Sequence, residues 1–114
     1  MYLINRAVEV VKLKEPFLDW VNSMSGPKLT LEAINKENHV FLLAEHGNEQ
    51  ELELIIQQLY PDIFRIELRS FCRDESRWPK IKYRTFLDWF DIEVHSTVFD
   101  PYDREIEREE FLHY

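Results

Sequence analysis

Two acids and a histidine alternate with apolar residues in the stretch Asp91-Ile92-Glu93-Val94-His95. This alternation is typical of a β-strand, in which every second side chain points to the same face. Neighbours on one face lie about 6.5–7 Å apart, so Glu93 and His95 are close enough to share a proton or a metal ion. A carboxylate beside an imidazole orients the ring and raises its basicity. The pattern therefore predicts a catalytic acid–base group of Glu93, His95 and Asp91, or a metal site with Glu93 and His95 as ligands.

A metal site on this strand needs a further ligand from another part of the chain, and the candidates are Glu9, His39 and His46. The same alternation also describes the solvent-facing side of an antiparallel strand, where acids and histidine are common. A short Glu-x-His pattern is specific to no protein family. We therefore favour the solvent-facing interpretation, and we expect no cofactor.

Three arginines, Arg65, Arg69 and Arg73, recur four residues apart, which is the spacing of one face of a helix. Such a face could bind a phosphorylated ligand or an acidic peptide. Charge runs on helices are more often solvent-exposed faces that neighbouring acids neutralise. The solvent-exposed interpretation is favoured here, and the arginines remain a candidate binding site.

Trp78 lies in a charged loop just before Pro79. A large aromatic side chain at such a position either anchors a partner protein or covers one end of the core, and core cover is the commoner fate of tryptophan. The single cysteine, Cys72, lies beside Arg73, which would favour a reactive thiolate. Free cysteine is usually only a small buried apolar side chain, and we favour that interpretation.

The chain is acidic, with 22 Asp and Glu against 14 Lys and Arg and a formal net charge of −8. This charge repels phosphate backbones, so we expect neither nucleic acid nor a membrane surface as a partner. One cysteine excludes an internal disulfide. No apolar run has the length of a membrane span or of a signal peptide. Together these features predict a cytoplasmic protein.

The hydrophobic pattern of the 114 residues predicts an α+β (or α/β) fold, with a small sheet of about three strands covered by several helices. The apolar run 40–44 is typical of a central strand buried on both faces, and Pro61 is predicted to end one helix before another begins. The direction of the strands stays open. The predicted elements are strands at 4–13, 40–44 and 91–99, and helices that begin at Pro16, Thr30, Asn48, Asp62 and Tyr83, with Thr30 and Asn48 as N-caps.

The composition changes after residue 100. We predict a compact domain at 1–100 and a peripheral acidic C-terminal tail at 101–114, because the last segment is dominated by charged residues and has few apolar ones. Its acids include Glu105, Glu107, Glu109 and Glu110.

Several motifs resemble a family of small bacterial proteins without an assigned activity. The resemblance covers most of residues 4–100 and leaves out the acidic tail. It implies a bacterial cytosolic domain and supplies no catalytic residues. The motifs are Asn5-Arg6-Ala7, Pro16-Phe17-x-x-Trp20-Val21-Asn22, Asp74-Glu75-Ser76-x-Trp78-Pro79 and Phe86-x-x-Trp89-Phe90-Asp91-Ile92-Glu93-x-His95-Ser96-x-Val98-Phe99-Asp100.

These features favour a small acidic, non-enzymatic protein-interaction module that engages a basic protein surface or forms a homodimer. An inhibitor of the antitoxin or immunity type is one concrete form of this hypothesis. Two alternatives stay open. One is a small acid–base or metal-assisted enzyme centred on Glu93 and His95, and the other is a binder of a phosphorylated ligand through Arg65, Arg69 and Arg73.

Overall fold

Alternating side chains between Ala7 and Leu13 produce the middle strand of a three-stranded antiparallel sheet, and the described part of the chain also contains four helices. The computed structural model describes residues 1–111, so the end of the predicted tail, 112–114, lies outside the described residues. The elements are β1 (Tyr2–Leu3), β2 (Ala7–Leu13), α1 (Glu15–Asn22), α2 (Leu31–Ile34), β3 (His39–Leu43), α3 (Glu49–Phe71), a 3-10 turn (Glu75–Arg77), α4 (Tyr83–Trp89), β4 (Phe90–His95) and β5 (Phe99–Asp100).

The predicted α+β class is confirmed, and the strand directions that the sequence left open are all antiparallel. The order in the sheet is β3-β2-β4. The prediction that 40–44 forms a central, two-sided buried strand is wrong, because β3 lies at an edge and its Val40 and Leu42 side chains are 57% and 52% exposed. Strand β2 takes the central place, and its apolar residues on both faces reflect that position.

Helix α3 continues through Pro61, so the prediction that this proline separates two helices is also wrong. A proline inside a helix removes one backbone hydrogen bond and costs about 3 kcal/mol. The buried residues Ile56, Ile63, Phe64 and Leu68 lie on one stripe that keeps its phase across the proline. Burial of this long stripe against the sheet outweighs the local cost.

Aromatic rings fill the space between the sheet and its helices. The ring of Phe90 lies 5.0 Å from that of Phe86, 5.1 Å from that of Phe64 and 5.4 Å from that of Phe17, measured between centroids. These four phenylalanines come from α1, α3, α4 and the start of β4, and all are buried. The ring of Phe90 therefore joins three helices to the sheet.

The side chain of Asn35 extends the sheet beyond the end of β3. Its Oδ1 accepts a hydrogen bond from the backbone N–H of Leu13 at 2.8 Å, and its Nδ2 donates to the Leu13 carbonyl at 2.9 Å. The carboxamide thus replaces the backbone of a neighbouring strand. Helix α2 holds Asn35 in place, and Thr30 caps that helix by accepting from the N–H of Ala33, as predicted.

The predicted strand 91–99 is divided in two. Its partner β2 begins at Ala7, and the last β4 residue with a partner is His95, opposite Val8, so only Ala7 of β2 lies beyond that pair. Strand β5 pairs instead with β1, which brings the start of the chain beside residue 100. Residues 101–111 follow as an exposed segment without helix or strand. No helix among residues 1–111 is long and apolar enough to cross a bilayer.

We expect Phe90→Ala to lower the free energy of unfolding by about 3–5 kcal/mol, because it leaves a cavity where three helices meet the sheet. The control is Phe99→Ala, which removes the same ring from a position that is 58% exposed and is expected to cost less than about 1 kcal/mol. Urea unfolding followed by tryptophan fluorescence measures both. Equal losses in the two variants would contradict the packing described above.

Candidate functional site

The face of the sheet opposite the helices, here called the open face, is half apolar and half charged. On β2 the side chains of the helix-covered face are buried, and those between them are only partly covered. Pairing places Leu42 and His95 on either side of Val8, and Val40 and Glu93 on either side of Val10. The open face consists of Val8, Val10 and Lys12 from β2, Val40 and Leu42 from β3, and Asp91, Glu93 and His95 from β4.

The charged half contains the three residues that the sequence placed on one face of a strand. Lys12 joins them, with its Nζ 3.1 Å from Oε2 of Glu93. His95 Nε2 lies 3.6 Å from Oε1 of the same carboxylate, and both side chains are about half exposed. The hydrogen bond and ion pair from Lys12 hold the pKa of Glu93 below its usual value. Glu93 thus lies directly opposite Val10 and forms its ion pair diagonally with Lys12, a cation that no sequence pattern indicated.

Two of the three candidate ligands proposed to complete a metal site lie on the other face of the sheet. Glu9 is paired with Val94 and His39 with Val11, so both share the helix-covered side, away from Glu93. His46 follows β3 in a loop, where its Nδ1 lies 3.3 Å from a backbone carbonyl. Residues 1–111 contain no group of three or more His, Cys, Asp or Glu side chains that could hold a metal ion. Catalysis or metal binding by Glu93 and His95 stays a prediction.

The apolar half of the open face is a strip of four neighbouring side chains, Val8, Val10, Val40 and Leu42, here called the apolar strip. The two valines of β2 are half-buried, whereas Val40 and Leu42 are mostly in solvent. Single exposed apolar residues are normal on a protein surface, but contiguous ones mark sites of interaction. The strip is therefore the part of the open face most suited to contact another molecule.

Glu9 is a buried carboxyl group: it is 0% exposed, and neither Oε1 nor Oε2 has a hydrogen-bond partner among residues 1–111. Burial raises its pKa to about 7, because the low-polarity surroundings favour the neutral form. The sequence does indicate that Glu9 could be buried, because Glu9 alternates in step with the apolar residues Ala7, Val11 and Leu13. Val8 and Val10 lie on the other face of β2, so either face could have been the one that packs against the core.

A second buried acid, Glu67, is paired. Its Oε1 lies 2.8 Å from Nδ1 of His39, so the contact joins helix α3 to strand β3. Burial raises the pKa of Glu67, and the hydrogen bond and charge of His39 act in the opposite direction. The imidazole of His39 is half exposed at the sheet edge. This pair ties the edge strand to the longest helix.

The three predicted arginines do not share one helix face. Arg65 and Arg69 lie on α3, but the helix ends at Phe71 and Arg73 follows its C-terminal cap. Arg65 Nη1 lies 3.6 Å from Asp62 Oδ1, one helical turn earlier. The structure therefore brings together two of the three residues, beside an acid.

Trp78 packs against the core and its indole N–H donates a hydrogen bond of 2.7 Å to the carbonyl of Cys72. This geometry agrees with the interpretation that Trp78 covers one end of the core. The thiol of Cys72 is free and half-buried. Neither side chain forms part of the open face.

The sequence matches no family model, no curated protein and no solved structure. The resemblance to small bacterial proteins therefore stays an expectation.

The buried carboxyl group of Glu9 predicts a pH-dependent stability. Its folded pKa of about 7 lies above the value of 4.5 in the unfolded chain, so the contribution of this group to the free energy of unfolding is fully present below pH 4.5. As the pH rises from there through 7, the free energy of unfolding should fall by about 3 kcal/mol on account of this group. Glu9→Gln should remove that part of the slope in urea unfolding between pH 5 and 8.

The matched control is Glu93→Gln on the open face. Because the folded pKa of Glu93 is lowered, its stabilising contribution is lost only as the pH falls through that low value. This variant should therefore keep the wild-type slope between pH 5 and 8. A slope that is the same in Glu9→Gln and in the wild type would show that Glu9 is not the titrating group.

Proposed function

We propose that this protein is a non-enzymatic interaction module that binds a partner protein through the open face of its sheet. The observation that carries the proposal is the exposed apolar strip, which lies beside charged residues on an antiparallel sheet. Protein interfaces combine an apolar centre with a polar rim in this way. Burial of exposed apolar surface stabilises a complex by about 25 cal/mol per Å² before the costs of association are subtracted.

The charge of the module favours a basic partner. The net charge is −8, and acids lie on both sides of the apolar strip: Asp91 and Glu93 on β4, and Glu109 and Glu110 of the tail near Leu42. A field of one sign speeds the encounter with a partner of opposite charge. Two copies of the same acidic chain would repel each other, so the charge supports a basic protein rather than a homodimer. An inhibitor of the antitoxin or immunity type has these properties.

The other two hypotheses have less support from the geometry. Glu93 is paired with Lys12, and the candidate ligands Glu9 and His39 are on the opposite face. The arginine face is divided at the end of α3. A cytoplasmic location belongs to the proposal, and the free thiol of Cys72 supports it.

The proposal predicts that Leu42→Lys weakens partner binding at least tenfold, because it replaces an exposed residue of the apolar strip with a charge. The matched control is Leu54→Lys, which changes the same residue type on α3, where the leucine is 61% exposed. Each protein is immobilised and exposed to extract from the source organism, and the bound proteins are quantified by mass spectrometry.

The expected result is a protein that the wild type and Leu54→Lys retain and that Leu42→Lys loses. If all three baits retain the same proteins in the same amounts, the open face is not the binding surface and the proposal fails.

A further inference from the structure

The five residues of strand β3, His39–Leu43, include no lysine, proline or acid, which are residue types that often protect an exposed sheet edge. The opposite edge strand, β4, carries Asp91 and Glu93. The two edges of the sheet therefore differ in charge, and the β3 edge is the better suited to pair with a further strand.

The outer edge of β3 has no strand beside it in the described part of the chain. Within residues 1–111, β3 pairs with β2 alone, and no backbone hydrogen bond joins it to the tail. An extended segment placed beside this edge would satisfy backbone N–H and C=O groups that have no backbone partner within residues 1–111. Addition of a strand to an open edge is a common way for proteins to bind peptides.

A groove runs along this edge, with the tail as its outer wall. On the side of β3 and α3 it is lined by apolar side chains, among them Phe41, Ile63 and Ile66, and by Asp62, and on the tail side by Glu109, Glu110 and Phe111. The space between them has a volume of about 340 Å³. Apolar side chains together with three carboxylates suit a segment that carries both apolar and basic residues.

A second groove of about 420 Å³ meets the first at Leu42. It lies between Ile4 and Arg6 at one side and Ile106 and Arg108 of the tail at the other. Arg6 and Arg108 make the second groove positive, whereas Glu109 and Glu110 make the first one negative. The two grooves together thus have an apolar centre at Leu42, a basic end and an acidic end.

We infer that a segment of the partner protein adds as an extended strand to the edge of β3, between β3 and the tail. This inference rests on the proposed function and specifies how the partner is held. The segment would be about five to seven residues long, to match the length of β3, with apolar residues at alternate positions. It would carry Lys or Arg beside Glu109 and Glu110, and an acid beside Arg6 and Arg108.

The probes are peptides selected from a display library of random twelve-residue sequences for binding to the full-length protein. We expect the enriched peptides to alternate apolar residues and to contain Lys or Arg. Their affinity should fall at least tenfold for Leu42→Lys and for the double variant Glu109→Lys with Glu110→Lys. The affinity for Leu54→Lys should stay within twofold of the wild type.

Backbone pairing is tested with two N-methylated versions of the best peptide, one methylated at odd positions and one at even positions. Alternate N–H groups of an extended strand point to opposite edges. One version should therefore lose binding at least tenfold, and the other should retain it. The same result with both versions, whether loss or retention, would overturn strand addition.

The outcomes separate the inference from the proposed function. Peptides that depend on Leu42 but respond equally to both methylation patterns would overturn strand addition and leave the open face as the binding surface. Peptides that bind Leu42→Lys and the wild type equally would overturn both. Concentration-dependent dimerisation of the wild type, abolished in Leu42→Lys, would identify a second copy as the occupant and overturn the choice of a partner segment.

Discussion

The pairing of β2 with a neighbour on each side is the interaction on which the rest of the structure depends. It fixes the register of β3 and β4, and with that register it decides which side chains face the helices and which face outward. The helix-covered face is filled by the rings of Phe17, Phe64, Phe86 and Phe90. Four helices cover one face of a small sheet, so the other face remains available, together with its exposed valine and leucine side chains.

The same strand carries the least favourable group of the core. Burial of a carboxyl group without a hydrogen-bond partner is costly, and the protein accommodates Glu9 by holding it neutral up to about pH 7. Glu9 and the open face lie on opposite sides of β2. Ionisation of Glu9 therefore acts on the packing between sheet and helices, whereas the charges available to a partner belong to Asp91, Glu93 and the tail.

Local patterns in the sequence predicted the elements well and their arrangement less well. Thr30 and Asn48 cap their helices as expected, because a cap depends only on residues three positions away. The prediction that β3 is a central strand is wrong because an apolar run need not be buried, and Val40 and Leu42 are exposed in this chain. The prediction that Pro61 ends a helix is wrong because contacts with distant residues offset the local cost of the proline.

The candidate site shows the same limit. Alternation correctly placed Asp91, Glu93 and His95 on one face. Register between strands decides what lies beside them, and no local pattern encodes that Lys12 is next to Glu93 while Glu9 is behind the sheet. The open face could therefore be recognised only after the strands had been paired.

Binding of a partner at the edge and open face of β3 can be followed by amide hydrogen exchange of the full-length protein, measured with and without a bound partner segment. We expect slower exchange at alternate residues of His39–Leu43 on binding and unchanged exchange in α4 (Tyr83–Trp89). Protection confined to α4 or to the loop around Trp78, with β3 unchanged, would contradict it.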